Sequence, residues 1–150
     1  MTDPTNPIAV EGDPLVTVTR ELLEREGAFG EGASEVAAGA VQASEKLCAH
    51  LGRVVGQLGI STLFVRSLFL TRARFPWLVL DPHAGPDGRW QALRSCLEAQ
   101  HADVAREASL CLVTHLLRLI AGLIGDALVL RLLAEVWPDD LPTRTKEVTP

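Results

Sequence analysis

Apolar residues recur along most of this chain at helical rather than alternating spacing. In "DPLVTVTRELLEREG", Asp13 can accept the free amide hydrogens of a helix start, Pro14 supplies a preset φ at the first helical position, and Gly27 is the natural stop. "AFGEGAS" then reads as a glycine-punctuated loop, with Ser34 placed to cap a second helix. From Glu35 to about Gln57 the stripe Val36, Ala40, Leu47, Leu51, Val54 and Leu58 predicts that amphipathic helix, and Gly59 is expected to break it.

"ISTLFVRSLFLTRARFPW" predicts a third helix, capped by Ser61 or Thr62 and ending before Pro76, since a residue preceding proline avoids the α region. Phe64, Leu68 and Phe75 share one direction, while Leu63, Val65, Phe69 and Leu70 spread over the others. A helix apolar on most of its circumference is expected to be central. "DPHAGPDGR" is turn chemistry and divides the chain into halves. A short fourth helix follows at "RWQALRSCLEAQ", with Trp90, Leu93 and Leu97 on one face. The strongest helical pattern runs from Asp103 to Ile124. Gly125 and Asp126 then predict a stop and a restart, with a last helix from Ala127 to Trp137; one kinked helix is the alternative.

These elements predict an all-α fold, a single bundle of five or six helices over residues 13–138, with a proline-rich arm at 1–12 and a polar tail at 139–150. Composition agrees: 150 residues suit one core, and the 47% apolar content is mostly aliphatic, with no Tyr and few aromatics.

The net charge of −5 is unevenly spread. Residues 1–46 hold nine acids against three bases, residues 47–80 hold four arginines and no acid, and residues 81–150 hold ten acids against seven bases. Four scattered arginines are not the clustered basic face of a nucleic-acid binder, so no nucleic-acid partner is expected. Cys48, Cys96 and Cys111 have no regular spacing and read as reduced thiols of a cytoplasmic protein. The acidic, proline-rich N-terminus shows no secretory pattern, and the uncharged run between Glu107 and Arg118 is shorter than a bilayer span, so no membrane association is expected either.

Chemical constellations are sparse. No GxSxG elbow, HExxH pair or glycine-rich phosphate loop occurs, which points away from an enzyme and gives no cofactor to expect. Cys111 and His115 share a helix face at i and i+4, but two ligands do not make a zinc site. Asp81, His83 and Asp87 lack calcium-loop spacing. Arg66, at the polar edge of the third helix, is expected to snorkel or find a carboxylate; an anion or small-ligand pocket formed with Arg72 or Arg74 is the alternative.

His115 is the sharpest candidate. "HLLRLIAGLIG" resembles the phosphoacceptor motif of histidine phosphotransfer domains through His115, Arg118 in the lysine position, Ala121, Gly122 and Gly125, with Leu119 where that family has glycine. The resemblance implies a phosphoacceptor His115, with Arg118 neutralising the phosphoryl group. Helix phase places His115 on a boundary, with Leu112, Leu116, Leu119, Ile120 and Leu123 to one side and Arg106, Glu107 and Arg118 to the other. Its exposure decides between a phosphocarrier and a packed histidine.

"ELLEREGAFGEGASEVAAGAVQASEKLCAHL" has the helix, glycine and helix rhythm of the DNA-binding segment of tetracycline repressors, but Glu31, Glu35 and Glu45 stand where phosphate would approach. Finally, residues 59–78 and 125–138 resemble two segments of an uncharacterised bacterial all-helical domain found in signalling contexts. They share Gly59, Leu63, Arg66, Leu68, Leu70, Arg72, Pro76 and Leu78, then Gly125, Leu128, Leu130, Arg131, Leu132, Leu133, Trp137 and Pro138. That resemblance implies a core made by the third and sixth helices and transfers no catalytic residue. The expectation is a non-enzymatic interaction or regulatory module with a protein partner; a homodimer through the long apolar helices is also open.

Overall fold

The computed structural model describes residues 13–80 and 85–137, of which 85–87 by their backbone alone. These residues form an all-α bundle of six helices without strands: α1 (Pro14–Arg25), α2 (Ala33–Val55), α3 (Gln57–Arg72), α4 (Gly85–Glu98), α5 (Ala102–Ile124) and α6 (Asp126–Val136). The expected arm and tail, and Asp81 and His83, lie outside the described residues, as does the side chain of Asp87.

The start of α1 follows the expectation. Asp13 has extended backbone and its Oδ1 accepts from the Leu15 amide at 2.9 Å, with Pro14 at the first helical position. At α2 the capping differs. Ser34 lies inside the helix, and Glu35 reaches back instead, its Oε1 accepting from the amides of Glu31 and Gly32 at 3.2 and 3.5 Å.

The break after α2 falls at Gly56, not Gly59. Gly56 takes φ 87°, the left-handed region open to glycine, so the chain turns there and α3 begins at once. Ser61 and Thr62 are therefore helical residues, and the Thr62 hydroxyl donates to the Leu58 carbonyl at 2.9 Å. Helix α3 also stops at Arg72, before the turn that leads to Pro76. Helix α4 begins four residues earlier than expected, inside the turn-rich segment, with Pro86 in its first turn. Gly125, at φ 94°, separates α5 from α6, so the stop and restart is the form adopted.

The architecture has an internally repeated pattern. Helices α2 and α5 are each 23 residues long, and Ala33 and Ala102, Val55 and Ile124, and Gly56 and Gly125 all stand 69 positions apart. The two glycines have almost the same conformation, φ/ψ 87°/152° and 94°/149°. Helices α2 and α5 each pack against all five others, and exchanging α1–α3 for α4–α6 leaves the set of packed helix pairs unchanged. The halves are interleaved: α1 and α3 pack on α5, while α4 and α6 pack on α2.

The core is thus centred on α2 and α5 rather than on the third and sixth helices. Every residue from Ala108 to Leu117 is buried, because neighbours surround this part of α5 on all sides. By length and composition α5 could cross a membrane, contrary to the expectation from its shorter uncharged run, but 67% of its apolar stretch is buried inside the bundle, as befits a core helix.

Candidate interaction surface

His115 is 6% exposed and makes an interaction within the fold. Arg118, one turn on, donates through Nη2 to Oδ2 of Asp13, tying α5 to the start of α1. In this conformation no imidazole is presented to a docking partner, and the Arg118 charge already has a carboxylate.

The three arginines of the expected anion pocket differ in setting. Arg66 and Arg72 are both exposed on α3 and lie roughly 120° apart around it. Arg74 is half-buried, with its guanidinium 5.1 Å from the Phe75 ring centroid and its charge acting on the Cys111 thiol. Burial pushes the Cys111 pKa up, against the opposing pull of Arg74 and Thr71.

A buried cation elsewhere escaped the sequence pattern. Arg89 is 9% exposed, lies 5.2 and 5.6 Å from the ring centroids of Phe64 and Trp90, and donates to Ser61 Oγ at 3.4 Å. The rings themselves meet edge to face at 5.1 Å. The signal was available: Arg89, Leu93 and Leu97 recur every four residues on the buried face of α4. Arg89 also pulls down the pKa of Cys48, but burial dominates and pushes that thiol up to about 12.

Two open clefts occupy related places. One, of about 340 Å³, lies between α2 and α4 against Val41, Glu45, Trp90 and Arg94; the other, of about 240 Å³, lies between α1 and α5 against Arg20, Phe29, Glu107 and Leu110. Val41 and Leu110 stand at the same 69-residue offset, so the clefts follow the same repeated pattern. Among the described residues no three His, Cys, Asp or Glu side chains converge as metal ligands would.

The outward face of α3 is the most unusual surface. Its inward seam, Ile60, Phe64, Ser67, Leu68 and Thr71, is buried against the bundle. A second seam at helical spacing, Leu58, Thr62, Val65, Phe69 and Arg72, points away. Leu58 is 82% exposed and Phe69 66%, while Val65 is half-buried. The apolar circumference that predicted a central helix therefore consists of two seams, of which the bundle covers one. Arg66 borders the open seam and Arg72 ends it.

No protein-family model, no curated protein and no solved structure matches the chain. Its all-helical character is what remains of the resemblances noted in its segments.

Proposed function

We propose that this chain is a non-enzymatic interaction module that acts by docking a protein partner on the outward face of α3. The observation that carries this reading is the open seam: a leucine and a phenylalanine held in solvent on one side of a helix whose other side is already packed. Covering a side chain of either type contributes about 1.5–3 kcal/mol, enough for two such anchors to support recognition. Because α3 is fixed to α2 and α5, the seam is presented without a folding cost on binding. A role in bacterial signalling fits a module of this kind and rests on the segmental resemblance to helical domains found there.

The test is photocrosslinking in cells of the source organism, with a photoreactive residue at position 69 or, as a control, at the exposed position 49 of α2. Discrete adducts from position 69 alone support the module. The same adducts from both positions, or none from 69, remove it.

A further inference from the structure

We infer that the partner of the α3 face is an acidic amphipathic helix, whose apolar ridge covers Leu58, Val65 and Phe69 while its carboxylates meet Arg66 and Arg72. This identification rests on the interaction-module reading and adds the partner's chemistry. The argument is one of charge. In a chain with nineteen acids, α3 and the whole of residues 47–80 contain none, and the only charges on α3 are Arg66 and Arg72. Both side chains are exposed, and the ion pairs among the described residues involve neither.

The arrangement selects against other occupants. A second copy docking α3 on α3 would bring like charges together along the seam, where juxtaposed cations are repulsive. An anionic membrane attracts basic clusters of about four to eight residues, whereas α3 offers two on a protein of net charge −5. An acidic helix satisfies both parts of the surface. It buries its apolar ridge in the seam, which from Leu58 to Phe69 spans about 16 Å, or about three helical turns, and sets carboxylates against the arginines.

The experiment uses the full chain, isotope-labelled for NMR, titrated with a designed amphipathic helical peptide that carries a leucine and phenylalanine ridge bordered by glutamate. A second peptide has lysine in place of each glutamate, and vesicles of equal parts phosphatidylglycerol and phosphatidylcholine form the third arm. The expected result is that the acidic peptide shifts the resonances of Leu58, Val65 and Phe69, and binds at least about tenfold more tightly than the lysine peptide. The double variant Arg66→Glu/Arg72→Glu should reverse that preference with an unchanged thermal melt, since both positions are exposed. Equal binding of the two peptides, no shift on α3, a preference for vesicles, or self-association abolished by Phe69→Ser would each overturn the inference. A photoadduct at position 69 with a partner lacking such an acidic helix would overturn it while leaving the interaction module intact.

Discussion

Asp13 and Arg118, 105 positions apart, are joined through a carboxylate that has two tasks: Oδ1 caps α1 and Oδ2 holds the guanidinium on α5. The two tasks separate by substitution. Asp13→Asn retains a capping oxygen and loses the charge, so it should cost about 1 kcal/mol, given that Arg118 is partly solvated. Asp13→Ala loses both and should cost about 2 kcal/mol. A double-mutant cycle with Arg118→Ala, read by urea denaturation, checks the division.

Glu26 does similar work at the other end of α1. Its Oε2 accepts from Lys46 Nζ at 2.6 Å and from Trp137 Nε1 at 2.8 Å, so α1, α2 and the end of α6 meet at one buried carboxylate. Trp137→Phe keeps the ring and removes the donor, and should cost about 2 kcal/mol, since hydrogen bonds to charged groups are the stronger ones. Amide exchange should accelerate in α6 first.

Glycine positions should divide sharply. A Cβ on Gly39 would stand 2.4 Å from the Ala28 backbone nitrogen and 2.6 Å from the Glu26 carbonyl oxygen, so Gly39→Ala must displace backbone and should cost about 3 kcal/mol. Gly59→Ala meets only Val55 at 3.8 Å inside α3 and should stabilise the protein by about 0.5–1 kcal/mol. Thermal melts of the two variants should move in opposite directions.

Cys48 gives the bundle an alkaline limit. Its thiol has a pKa of about 12 in the fold against an ordinary 9.0, so between those values the unfolded chain releases a proton that the folded chain keeps. The contribution is complete below pH 9.0 and declines as pH rises, by about 1.4 kcal/mol per pH unit, until it is lost near pH 12. Cys48→Ala should flatten the fall in stability measured between pH 9 and pH 11.

Local chemistry made much of the fold legible. Asp13 and Pro14 announced α1, and Gly125 announced the break before α6, because caps and left-handed turns depend on the residue that occupies them. The break after α2 was expected at Gly59 but falls at Gly56, which takes the left-handed conformation while Gly59 stays helical. The inward direction of α3, shared by Phe64, Leu68 and Phe75, was legible and is buried, whereas the exposure of the opposite side was not. Apolar residues on most of the circumference predicted a helix covered all round, but α2 and α5 cover one side of it and leave Leu58 and Phe69 in solvent. His115 sits at a hydrophobic boundary by helix phase, yet α5 has no solvent side at that level. The candidate surface was therefore hidden in a pattern that also describes a buried helix.

The interleaving of the two halves has a consequence for synthesis of the protein. When α1, α2 and α3 have left the ribosome, the helix on which α1 and α3 settle has not yet been made. Helices α1 and α3 can already pack on α2, but the apolar sides that all three turn to α5 stay uncovered until Ile124 has emerged, a long exposure at translation rates of about 5–20 residues per second. Holding chaperones therefore have their opportunity before α5 appears, and the native core closes nearly all at once when it does.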